Sequence, residues 1–434
     1  MVSHTHSHAH PSEHRRASRR TIRFTAGVLI PAALATLIGL IVLWPGKADS
    51  VEPWTGAPAV EATVLAVHET VCPPVGDQEP GTKVPERRCG TVTLKVTDGP
   101  GTGRQVQAEL PSGQGAPHVV PGDSVVLMVT GDSADPQASV YQIMSHERSS
   151  ALIAVFLAFL LAVVGFGRWR GVRALGGLAF TFAVLLMFVV PAILDGSPPL
   201  LVAIVGASAI MLVVLFLTHG INLPTSMAVL GTLASLMLAG LLALLSTSML
   251  KLTGIGSEED SFLSMQYPGV NMLGLLLAGI LIGALGVLDD VTVTQATTVT
   301  ELAHANPDMG FARLYKAAER VGRAHITSVI NTIVLAYAGA SLPVLLLIVA
   351  GGASLPEMLT SEWLTQEIVR SIVGTLGLIA AVPITTALTA LTLSREAPRR
   401  RVPSPPRRRL ADPPETVWSG EDTGAVANPG PRRW

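Results

Sequence analysis

Two adjacent carboxylates, Asp289 and Asp290, stand where an apolar run ends: residues 271–285 carry no charge, and the chain continues as VTVTQATTVTEL. Acidic groups at membrane depth are costly and often mark ion or proton pathways. At 3.6 residues per turn, Asp290, Thr294, Thr297, Glu301 and His304 fall on one helix face, while Val291, Ala296, Val299 and Leu302 lie mostly on the other. The basic candidates for pairing are Arg320 and Arg323, on an amphipathic helix expected over 310–323. Asn331 follows in a further apolar run, and an amide in hydrocarbon needs a partner, so it is expected to face other helices. The pattern predicts that Asp290 points into the bundle toward that run and that Asp289 faces water or the interface. The plainer reading is a pair of solvated interface charges or a cap on the following helix.

Other chemistry is sparse. His4, His6, His8 and His10 crowd the N-terminus. Neutral imidazoles at that density bind divalent transition metals, and the simpler reading is a polar tail with incidental affinity. No other cofactor is indicated. The chain has no Walker lysine motif, no HExxH and no GxSxG, so it is read as a non-enzyme with no ATP-driven step of its own. A net charge of −1 gives no sign of a nucleic-acid partner.

The elements that must position these residues are apolar. Charged residues make up 14% of the chain against about 25% in soluble proteins, and the mean hydropathy is +0.49. Eight runs without Asp, Glu, Lys or Arg are long enough to cross a bilayer: 24–44, 151–167, 174–194, 200–218, 225–245, 271–288, 326–350 and 371–393. Arginines and lysines cluster before the first run, at 168–173, at 313–323 and after 394, and the alternate loops are nearly bare. The positive-inside rule then places both termini in the cytoplasm of a multi-pass plasma-membrane protein. The alternative for 24–44 is a signal peptide, although the run exceeds the usual h-region.

Residues 48–149 form the one sizeable soluble segment, expected on the extracytoplasmic side. Period-two alternation at 59–67, 90–96, 104–110, 123–129 and 139–143, separated by DGPGTG, PSGQG and PGD, predicts a small all-β domain, an OB-like barrel or a sandwich. Cys72 and Cys89 flank a Pro/Gly-rich loop within it and are expected to pair in an oxidising compartment. The chain therefore divides into a His/Arg-rich tail (1–23), a first transmembrane helix (24–44), the β-domain (48–149), a seven-helix membrane domain (150–393) with cytoplasmic amphipathic helices at 289–323, and an Arg/Pro-rich tail (394–434). The fold class is mainly α, a polytopic helix bundle with a small β-domain. The seventh run carries Pro343, which is expected to kink it near 339–343, and Gly279, Gly283 and Gly286 give the sixth a small-residue face suited to close packing.

Residue identity goes further. GALGVLDDVTVTQATTVTELAHANP (283–307), LYKAAERVGRAHITSVINTIVLAYAGASLPVLLL (314–347), THG (218–220) and TGIGSEE (253–259) together resemble the YibE/F-like family of bacterial membrane proteins. After Gly322–Arg323 the chain carries Ala324 where that pattern leads one to expect an acidic residue. The resemblance implies a multispanning permease-type protein acting on a small solute or ion. The favoured expectation is a secondary transporter with Asp290 as coupling carboxylate. The competing expectation is a non-transporting envelope scaffold or sensor whose β-domain binds a partner. Beyond the lipid bilayer, homo-oligomerisation is left open.

Overall fold

The computed structural model describes residues 19–46, 59–72, 88–99, 101–112, 115–130, 140–350 and 354–396. The histidines at positions 4–10 and the C-terminal tail lie outside them. Helix α1 (Arg19–Val42) precedes five strands: β1 (Ala59–Thr70), β2 (Cys89–Asp98), β3 (Gln105–Glu109), β4 (Ser124–Thr130) and β5 (Val140–His146). Then come α2 (Ser149–Val184), a π-helical turn (Leu185–Val189), α3 (Val190–Leu194), α4 (Pro199–His219), α5 (Leu223–Met249), α6 (Glu258–Gln266), α7 (Met272–Ala305), α8 (Phe311–Ala340), α9 (Leu342–Ala350), α10 (Leu355–Leu359) and α11 (Glu362–Glu396).

The strands close into a barrel in the order β1-β2-β3-β5-β4, with β3 and β5 parallel and the other pairs antiparallel. This is the barrel alternative rather than the sandwich. Alternation puts Val60, Ala62 and Val64 of β1, Val92, Leu94 and Val96 of β2, and Val125, Leu127 and Val129 of β4 in one core. Cys72 and Cys89 are joined by a disulfide with Cα atoms 5.1 Å apart. It ties the end of β1 to the start of β2, where Thr70 already pairs with Cys89.

The membrane domain alternates in direction, as close approaches at its glycines show. Gly177 meets Val214 and Gly206 meets Val189, so the second half of α2 and α4 run antiparallel. Gly240 meets Leu281 while Thr232 meets Thr292, Gly377 meets Ala239 while Gly231 meets Thr385, and Gly322 meets Val382 while Gln295 bridges Ala318 and Thr386, so α5 and α7, α5 and α11, and α8 and α11 are also antiparallel. α2 itself reverses at Arg168, whose φ is 48°. There Gly171 comes against the carbonyl of Val163. In a straight helix, residues eight apart are separated by about 12 Å along the axis. We call the end where α4, α7 and α11 begin the upper end.

Among the described residues, six helices are long and apolar enough to cross a membrane, the kinked 46-residue unit from Ser149 to Leu194 counting as one. α8 is outside that set because its first half is amphipathic and its apolar half ends at Ser341, two residues before Pro343, where α9 takes over. That break falls where the sequence expects it. α7 corrects another expectation: it passes through Asp289 and Asp290 without interruption as a 34-residue helix, so no separate amphipathic helix begins there. At 1.5 Å per residue it is about 51 Å long, well beyond the ~30 Å hydrocarbon thickness.

Candidate functional site

The centre of the bundle is α5, α7 and α11, packed against one another and crossed by a polar seam. Thr232 of α5 and Thr292 of α7 share a hydrogen bond at 2.7 Å. The Gln295 side-chain amide donates to the Thr386 hydroxyl of α11 at 2.7 Å and to the Ala318 carbonyl of α8 at 3.0 Å. Thr386 in turn donates to the Val382 carbonyl, and Ser235 to that of Gly231. All these hydroxyl and amide side chains are buried, and each is satisfied, as buried polar groups must be. Room for the seam comes from glycine: a Cβ on Gly231 would lie 3.0 Å from the Thr385 Cβ, and one on Gly322 2.7 Å from Gln295 Oε1.

Asp289 borders this seam. Its side chain is partly buried, and among the described residues its enclosed Oδ1 has no hydrogen-bond partner. Leu285 and Val293, one turn either side, pack in the cluster shared with α4 and α5, so Asp289 lies on that flank of α7. Asp290 is exposed, and so are Thr294, Thr297, Glu301, Arg320, Arg323 and Asn331. The expected orientation of the two carboxylates is thus reversed, and Asn331, expected to face other helices, is exposed among the described residues. Arg323 pairs with Glu319 at 3.0 Å rather than with Asp290. Arg320 and Arg323, with Lys316 and Glu319, instead line a surface cavity of about 450 Å³.

The exposure of Asp290 belongs to a longer feature. Gly279, Gly283, Gly286 and Asp290 recur at helical spacing and are all exposed. Nothing lies within 4 Å of a Cβ placed on Gly279 or Gly286, and at Gly283 only the Tyr337 hydroxyl does, at 3.8 Å. Among the described residues, the small-residue face is therefore left uncovered instead of making a tight helix contact. At its upper end is a cavity of about 600 Å³ between α2, the π-helical turn, α7 and the start of α11. The wall is apolar along Phe182, Leu186, Val190 and Ile282 and polar at Ser257, Asp260, Gln366, Glu367 and Arg370. Glu367 and Arg370 pair at 2.6 Å, and Arg370 Nε is enclosed without a partner. At the lower end Asp290 lies within electrostatic reach of His219, which also senses Arg173. The Nε of Arg173 is another enclosed donor without a partner.

The loop that rims the cavity is held in detail. Ser257 and Asp260 cap α6 reciprocally, and one Glu362 oxygen accepts from the Thr253 and Gly254 amides and the Thr253 hydroxyl. Gly254 has φ of 87°, and a Cβ there would lie 2.5 Å from the Met272 carbonyl carbon, so only glycine fits. π-Helical turns such as Leu185–Val189 cluster at functional sites.

Sequence reasoning missed Gln295, Thr232, Thr292 and the Glu367–Arg370 pair. Thr292 and Gln295 were legible as a second polar stripe, since 289, 292 and 295 follow at i, i+3 spacing on α7, whereas Thr232 on α5 had no such signal. The pair sits just outside the run taken as a span, which begins at 371. The described residues hold no cluster of three or more His, Cys, Asp or Glu side chains fit for a metal ion. No curated protein and no solved structure registers as a match to this chain. The family model described as YibE/F-like protein matches residues 155–395, more than half of the chain and nearly all of the α2–α11 helices that carry the exposed stripe, the seam and both carboxylates. The chain belongs to the YibE/F-like family.

Proposed function

We propose that this protein is a secondary permease for a small solute or ion, and that the permeant follows the open face of α7. The observation that carries this reading is the Gly279–Gly283–Gly286–Asp290 stripe. It is small and uncovered along the depth of an otherwise apolar helix, with charged groups gathered at both ends. Discontinuous or irregular helices beside a polar cavity are the usual setting for solute sites in transporters, and here the π-helical turn and the α8–α9 break flank the groove. Eight passes with both termini in the cytoplasm and the β-barrel outside accord with the basic-loop alternation and the antiparallel order of the helices.

Within this reading Asp290, with His219 and Arg173, forms the lower mouth that the permeant meets. Asp289 takes the coupling role that the sequence suggested for its neighbour, because an enclosed carboxyl oxygen without a hydrogen-bond partner is completed by a proton or a cation. In proteoliposomes screened for solute-driven currents, Asp289→Asn is expected to abolish gradient-driven accumulation while downhill flux survives, and Asp290→Asn to slow both. Wild-type protein that passes no solute or ion above empty liposomes would favour the scaffold reading instead.

A further inference from the structure

The upper cavity carries its charges in a fixed order of depth. Asp260 and Glu367 sit toward the upper lip, and Arg370 lies three residues further down α11, about 4.5 Å of rise. Below them the wall is apolar, and Phe182 and Leu186 on it are exposed to what would be the bilayer. Among the described residues, Asp260 uses one oxygen to accept from the Gly256 and Ser257 amides, and Glu367 uses one to accept from Arg370. Each keeps a second oxygen without a partner. Arg370 keeps Nε, enclosed and unsatisfied.

Free acceptors above, a guanidinium side chain still 31% exposed one turn below and an open apolar trough beneath match one kind of amphiphile. We infer that the cavity binds an aminophospholipid: the primary ammonium lies against Asp260 and Glu367, the phosphate against Arg370, and an acyl chain runs down past Phe182 and Leu186. A phospholipid entering from the bilayer presents its amine, phosphate and chains in that order from surface to core. A cavity of about 600 Å³ is in the range of ligand sites, and an arginine is the side chain best suited to phosphate. The inference concerns occupancy alone and stands whether or not the groove conducts solute.

The test uses the full-length protein, purified and delipidated in detergent, titrated with phosphatidylethanolamine, phosphatidylcholine and phosphatidylglycerol of identical chains and read by native mass spectrometry. Phosphatidylcholine keeps the zwitterion but has no N–H; phosphatidylglycerol keeps the phosphate but has no amine. Wild type is expected to prefer phosphatidylethanolamine by about tenfold, the loss of one charge-assisted contact. Glu367→Gln should erase the preference, and Arg370→Gln should weaken all three lipids. Asp260→Asn, at the exposed lip, gives a second reading of the ammonium contact should Glu367→Gln fail to fold. Equal binding of the three lipids by wild type would overturn the inference. So would an unchanged preference in folded Glu367→Gln or Asp260→Asn, or competition by chain-free phosphoethanolamine as strong as by the lipid.

Discussion

At the scale of single residues, neighbouring positions on α7 do opposite work, and glycines divide the same way. Gly231 and Gly322 are closed on by Thr385 and Gln295, whereas Gly279 and Gly286 face open space and Gly283 meets only the Tyr337 hydroxyl at 3.8 Å. Gly231→Val and Gly322→Val should each cost about 1–3 kcal/mol by overpacking, seen as a lower unfolding temperature in detergent. Gly283→Leu should leave that temperature unchanged and reduce flux. A bulky residue at Gly283 that unfolds the bundle would mean the groove is filled in the native protein. The residue pattern made Asp289 and Asp290 visible but could not say which turns inward, because α7 bears two polar stripes. One, 290/294/297/301, is exposed along its length. The other, 289/292/295, is the seam. The rule that polar faces turn inward holds only within hydrocarbon.

Among elements, the barrel was the most legible. Strands half-buried on a core alternate strictly, and all five are found within a few residues of their expected bounds. The Cys72–Cys89 link closes a short loop, so Cys72→Ser/Cys89→Ser should destabilise the barrel by on the order of 3 kcal/mol on the loop-entropy account. Circular dichroism melting of the full chain, followed at strand-sensitive wavelengths, checks it; an unchanged transition would make the link dispensable. The π-helical turn and the Arg168 reversal had no such signal. LLMFV reads as any apolar run, and a left-handed arginine carries no sequence mark of its own. The α8–α9 break was legible because proline removes a specific hydrogen bond.

For the molecule as a whole, the proposed eight-pass arrangement takes its sidedness from the distribution of arginines, and the antiparallel order of the helices is compatible with it. Reporter fusions after Lys47 and Ser257 should lie outside, and those after Arg173 and Lys316 inside; a single reversal would break the eight-pass arrangement. The central claim is that the α7 stripe faces an aqueous groove. No described cysteine is free, so a thiol introduced into the wild-type background reports on its own position. Gly279→Cys, Gly283→Cys, Gly286→Cys, Asp290→Cys and Asp289→Cys would be reacted with a charged, membrane-impermeant thiol reagent in proteoliposomes opened to both sides. The account predicts modification at the first four positions within about tenfold of the rate at an exposed Asp308→Cys control, and little at position 289, as expected from a partition between water and an enclosed site. Unreactive thiols at 279, 283 and 286 would place the stripe against lipid and contradict the groove.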